Sequence, residues 1–250
     1  MRQEGIPPIG NAASVTVRGL HVMRGGREVL HGLDCDFAGG AITGLIGPSG
    51  CGKSTLMRSV AGVQIIASGT AAVLGEPAGS AVLRRRIGYA TQSPAVYADL
   101  TVRENLKYFA AVQGVPASQI TEVLDAVGLA GAANQLAGEL SGGQLSRASL
   151  AVALLGDREV LLLDEPTVGL DPVLRQQLWE LFRRLTDEGR TLLISSHVMD
   201  EAERCDRLLL MRDGAIIALD TPDNLRRRTG AGTVEQAFLH LVKEREPNLS

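Results

Sequence analysis

The sequence predicts an α/β fold, in which short strands alternate with helices around an aliphatic core. Three observations carry that prediction. Short apolar runs bounded by glycine, proline or acidic residues recur in both the first and the last third of the chain. A Gly-rich loop, Gly47 to Thr55, joins one such run to a segment of helical period. Over about residues 99–155 the pattern turns helical, which marks an insertion within the α/β core.

Residues 1–12 contain two adjacent prolines and no periodicity, so a flexible lead-in is expected. Residues 14–17 alternate polar and apolar, and residues 33–37 lie between glycines 32 and 39; both predict strands. An apolar run over 41–46 enters the Gly-rich loop, and a helix over 55–61 leaves it. Short strands are expected again at 69–74 and 87–90. In the insertion, Val102, Leu106, Phe109 and Ala110 share helix spacing, as do Ile120, Val123, Leu124 and Val127. A helix over 142–155 closes it. Strands then follow at 160–163, 191–194 and 208–211, with a helix at 172–185 and a mixed tail. Pro172 suits a first helical turn, and Leu174, Leu178, Leu181, Phe182 and Leu185 form the stripe that helix should bury.

Composition narrows the function. Of 250 residues, 45% are hydrophobic and 21% charged, the balance of a globular chain with a sizeable core. The formal net charge of −3 argues against nucleic acid as the main partner. The longest unbroken apolar run, residues 150–155, is far short of the roughly 20 residues that span a bilayer. Cys35, Cys51 and Cys205 are scattered, with no CxxC pair, and suggest neither a disulfide framework nor a zinc site. No secretion signal is visible at the N-terminus, so a cytoplasmic protein is expected.

Gly47, Pro48, Ser49, Gly50, Cys51, Gly52, Lys53, Ser54 and Thr55 satisfy GxxxxGK[ST] between an apolar run and a helix. Glycines let the backbone wrap closely around phosphates, and the helix N-terminus adds its positive end. Lys53 would neutralise β- and γ-phosphates, while the Ser54 hydroxyl would hold Mg²⁺. The run over 160–163 ends in Asp164 and Glu165. Asp164 is placed to hold hydrated Mg²⁺, and Glu165 to polarise an attacking water. No NKxD motif occurs, which disfavours a small GTPase.

A third motif, Leu140-Ser141-Gly142-Gly143-Gln144, opens the helix at 142 and offers a second anion site at a helix N-terminus. With these three motifs the chain resembles the nucleotide-binding subunit of an ATP-binding cassette (ABC) transporter, over about residues 14–242. The resemblance implies a P-loop NTPase core with an antiparallel β subdomain and an inserted helical subdomain at about 99–155. It implies a single ATPase domain over 13–242 and a tail over 243–250, with ATP and Mg²⁺ as cofactors. Matching residues assign Glu165 as the catalytic carboxylate and His197 as the switch histidine at the γ-phosphate. Gln92 matches the Q-loop glutamine, which with Ser54 and Asp164 touches Mg²⁺, and Asp171 matches the D-loop. Ser141, Gly142, Gly143 and Gln144 would meet ATP across a head-to-tail dimer.

Two positions depart from the family pattern: Arg24 stands where an adenine-stacking aromatic is usual, and Leu145 follows the signature where a polar residue is common. A guanidinium can lie flat on a purine, so stacking survives the first change in principle. The resemblance further implies a second ATPase subunit, most simply a homodimer, and a separate membrane permease. Residues 93–106, with Tyr97 and Leu100, are expected at the permease contact. The protein would then sit peripherally on the cytoplasmic face of the membrane, bound through the permease, with no nucleic acid. The tail and the stretch after Gln92 look most like ATPases of ABC-2-type exporters of drugs, antibiotics, lipids or polysaccharides. The alternatives are an importer's ATPase subunit and a soluble, non-transport ABC ATPase.

Overall fold

The computed structural model describes residues 12–245. Strands β1 (Ala13–Arg24), β2 (Arg27–Ala38) and β3 (Ile42–Ile46) lead to helix α1 (Lys53–Ala61). Strands β4 (Ser68–Val73), β5 (Glu76–Pro77) and β6 (Ile87–Ala90) precede helices α2 (Val102–Gln113), α3 (Gln119–Ala126) and α4 (Gly142–Leu154). Then come β7 (Val160–Asp164), α5 (Pro172–Asp187), β8 (Thr191–Ser196), the one-turn α6 (Met199–Ala202) and β9 (Arg207–Arg212). Strand β10 (Ala215–Asp220) and helices α7 (Pro222–Thr229) and α8 (Val234–Arg245) complete the order. The chain divides into two compact units, one ending at Ser80 and resuming at Leu193, the other spanning Ala81–Leu192.

In the first unit an antiparallel sheet runs in the order β2-β1-β4-β5. The β1–β2 hairpin turns on Gly25 and Gly26, both at positive φ, the backbone that a two-residue hairpin turn requires. Its core face carries Val15, Val17, Leu20 and Val22 against Leu30, Leu33 and Phe37, all buried. The same unit pairs β3 with β9 in parallel and β9 with β10 antiparallel. All five residues of β3 are buried, as expected of a strand covered on both faces. The Asp206 carboxylate accepts the Ile42 amide at 2.8 Å and fixes where β3 begins. Directly after β3 comes the Gly-rich loop.

In the second unit β6 and β7 pair in parallel, from Ile87↔Val160 to Ala90↔Leu163, and β7 delivers Asp164 at its end. Between residues 99 and 155 the regular elements are α2, α3, α4 and short 3-10 turns. Arg158, 4% exposed, ties this region together. Its guanidinium donates to the Leu155 carbonyl at 2.7 Å, the Arg85 carbonyl at 2.6 Å and the Gln113 side chain. Carbonyls stranded at helix ends thereby gain a charged donor.

The antiparallel sheet, the phosphate-loop strand and the helical insertion are the expected fold class. Several details differ. The strands expected at 14–17 and 33–37 are pieces of the twelve-residue β1 and β2. A register shift between Val17 and Leu20, with Gly19 at positive φ, breaks the alternation that would have revealed β1. Leu174 is half-buried at the open end of α5, and Trp179 is buried in its stead, packed edge-on against Phe182 at 5.7 Å. The mixed tail resolves into β10, α7 and α8. Residues 1–11 of the expected lead-in and 246–250 of the expected tail lie outside the described residues.

Candidate functional site

The first unit supplies the phosphate loop and the histidine. Pro48, Ser49 and Gly50 are exposed at the loop tip, while Cys51, Gly52, Lys53 and Thr55 are buried and Ser54 is half-buried. Gly52, at φ 108, is the N-cap of α1 and brings no side chain to the helix end. A Cβ there would meet Leu30 Cδ2 at 2.6 Å. The first amides of α1 thus receive no bond from their own cap residue, which suits an anion. Lys53 is 5% exposed, and its ammonium donates to the carbonyls of Gly47 at 2.7 Å and Pro48 at 3.1 Å. A buried cation is therefore held over its own loop by neutral acceptors that a phosphate oxygen would outcompete. Gly214 donates its amide to Cys51 O at 3.1 Å and accepts from His31 N at 3.0 Å, bracing the loop. His197 is exposed, immediately after the wholly buried β8. Arg24 is exposed at the end of β1.

The second unit supplies the carboxylates and the signature. Asp164 is 3% exposed at the end of β7. Glu165 has φ 55, the left-handed region, which costs a non-glycine residue about 1–3 kcal/mol at such sites. Gln92 Nε2 donates to Glu165 Oε2 at 3.2 Å, so two residues 73 positions apart in sequence meet. Asp171 caps α5, its Oδ1 accepting the amides of Val173 and Leu174, each at 3.0 Å.

Ser141 opens α4 with a capping box. Its hydroxyl accepts the Gln144 amide at 3.3 Å, and the Gln144 side chain accepts the Ser141 amide at 2.9 Å. A Cβ on Gly143 would lie 3.2 Å from Gly169 O, so the signature turn packs on the segment that leads to Asp171. Both segments line one recess of about 910 Å³.

Arg147, 7% exposed, fixes the pose of α4. Its guanidinium donates to Val127 O at 3.0 Å, Gly128 O at 2.9 Å and, more weakly, Gly143 O at 3.4 Å. Burial pushes this guanidinium below the ordinary arginine value. Neither this clamp nor the Gln92–Glu165 contact is legible as a motif, because each joins residues far apart in sequence. The only sequence signal for the first was an arginine on the otherwise largely apolar helix expected over 142–155.

Among the described residues no helix is long and apolar enough to cross a membrane. Residues 30–168 match the family model described as ABC transporter. The probable multidrug ABC transporter ATP-binding protein YbhF of Escherichia coli (strain K12) is 38% identical over 218 residues. That alignment covers 82% of this chain but 37% of YbhF, so the chain spans little over a third of that relative. The Nod factor export ATP-binding protein I of Rhizobium sp. (strain N33) is 39% identical over 219 residues, covering 85% of this chain and 72% of that protein. A solved ATP-binding subunit of an ABC transporter aligns with a TM-score of 0.84 at 25% identity, over 92% of this chain and 99% of that one.

Proposed function

The chain belongs to the ABC transporter family through its ATP-binding domain, and from that premise we propose that it is the ATP-hydrolysing motor of an exporter. The observation that carries this reading is the signature turn, Ser141 to Gln144, in a chain that also holds a phosphate loop. Two anion-binding turns at helix N-termini in one chain suit ATP held between two copies, head to tail.

Lys53 exchanges its loop carbonyls for phosphate oxygens, and the amides at the start of α1 complete the cradle. Ser54, Gln92 and Asp164 offer hydroxyl, amide and carboxylate oxygens, the hard donors that Mg²⁺ prefers. When bound, Mg²⁺ supplies charge neutralisation at the β- and γ-oxygens. Glu165, its carboxylate oriented by Gln92, takes the proton of the attacking water. His197 contacts the γ-phosphate, Asp171 keeps its turn in place, and Ser141, Gly142, Gly143 and Gln144 close over the ATP of the partner copy.

The membrane partner is a separate permease, which would hold this chain peripherally at the cytoplasmic face. Tyr97 supports a docking role for residues 93–106: it is 47% exposed, stacked on Phe109 at 6.0 Å and edge-on to Tyr108 at 5.3 Å. Export, rather than import, is supported by two relatives whose names state multidrug transport and Nod factor export.

Phosphate release by the purified chain tests the catalytic part. It should require Mg²⁺ and fall by about two orders of magnitude or more in Lys53→Ala. Turnover that survives the substitution contradicts the assignment. Co-expression with a six-helix membrane permease as candidate partner tests the transport part. The chain should then partition with membranes, and a chain that stays in the soluble fraction contradicts it.

A further inference from the structure

We propose that Glu201 is a positioning residue that holds His197 in its working pose through Ser196. The inference rests on the assignment of His197 to the γ-phosphate. Glu201 lies on the one-turn helix α6 and is 2% exposed, whereas His197, four residues earlier, is exposed. Burying a carboxylate is costly unless its oxygens are satisfied.

One oxygen of this carboxylate is engaged through the residues on either side of the histidine. Ser196 Oγ donates to Glu201 Oε2 at 2.7 Å, a buried bond, and the same Oγ accepts the amide of Val198 at 3.0 Å. A relay from amide to hydroxyl to carboxylate therefore staples the backbone at 196 and 198, on either side of His197. Glu201 is itself anchored, since its amide donates to Val198 O at 3.2 Å and its carbonyl accepts the Arg204 amide at 3.1 Å. On the other side, β8 is buried along all six residues, so the strand that carries Ser196 is also fixed. This exposed histidine thus extends from a rigid stem. A transition-state contact needs its group within a fraction of an ångström, and a mobile loop would forfeit that.

The test uses the full chain. Turnover at saturating ATP, KM for ATP, melting temperature and the imidazole proton spectrum are measured for His197→Ala, Glu201→Ala, Ser196→Ala and Glu201→Gln. The four histidines are His21, His31, His197 and His240, and His197→Ala identifies the resonance that belongs to the loop. Glu201→Ala and Ser196→Ala should each lower turnover about tenfold or more with little change in KM. Both should shift or broaden the His197 resonance and leave the other three in place. Glu201→Gln keeps an acceptor for Ser196 Oγ and should restore both turnover and spectrum. The double variant Glu201→Ala/Ser196→Ala should lose no more turnover than either single one, because both break one relay.

An unmoved His197 resonance in Glu201→Ala, or additive losses in the double variant, overturns the positioning role. If Glu201→Ala does not fold, Ser196→Ala and Glu201→Gln decide on the same criteria. Undiminished turnover in His197→Ala defeats instead the assignment on which the inference rests, and the imidazole spectra still report whether Glu201 orders the loop.

Discussion

Glu165 stands in a left-handed conformation that glycine would adopt at less cost, and it is the residue assigned to activate water. Its identity was legible in the sequence as an acid after an apolar run, but its backbone strain and its bond to Gln92 were not. Local pattern reports which residues a strand delivers; only the folded chain reports which of them meet. Cys51 shows the same division. The sequence places it in the phosphate loop, and the fold buries its thiol, which pushes its pKa above the ordinary cysteine value. Burial pushes Cys35 up further still. A raised thiol pKa means less thiolate at neutral pH, so alkylation of the folded protein at pH 7 should be slower than that of free cysteine. Stability should decline as pH rises above about 8.5, because the thiols of the unfolded chain ionise there while the buried ones stay protonated. Labelling of the folded chain should stay slow to a higher pH than that of free cysteine. Iodoacetamide labelling across pH 7 to 10 checks this. Rapid labelling at pH 7 would contradict the burial of these thiols.

Two elements of the second unit begin in the same way for different reasons. Thr101 opens α2 with a capping box, accepting the Glu104 amide at 3.1 Å, while the Glu104 carboxylate accepts the Thr101 amide at 2.9 Å. Ser141 opens α4 with the equivalent pair. As caps, both should lose about 1 kcal/mol of stability on substitution by alanine. As a ligand for phosphate, Ser141 alone should matter to turnover. Denaturant melts of Thr101→Ala and Ser141→Ala, paired with phosphate-release assays, separate the roles: similar midpoints, with activity lost only in Ser141→Ala. Equal activity losses would assign Ser141 to the fold alone.

Elements with an uninterrupted pattern were the legible ones. The strand at 87–90 falls on β6, and the helix at 172–185 on α5. The β1–β2 hairpin was hidden by its bulge at Gly19 and by charged residues along its outer face.

At the scale of the molecule, the fold class was legible because the phosphate loop dictates its own flanks: a buried strand must enter it and a helix must leave it. The packing that poses the motifs was not. Arg147 and Arg158 each gather carbonyls from segments far apart in sequence, and a lone arginine in a linear chain carries no mark of its acceptors. In the proposed mechanism Glu165 drives ATP hydrolysis in a dimer closed by the signature turns. The most direct measurement is turnover together with sedimentation of Glu165→Gln in MgATP. The variant should bind ATP as the unmodified chain does, lose turnover by about two orders of magnitude or more, and accumulate as an ATP-bound dimer. Unimpaired turnover, or a variant that stays monomeric with ATP bound, would rule out this role for Glu165.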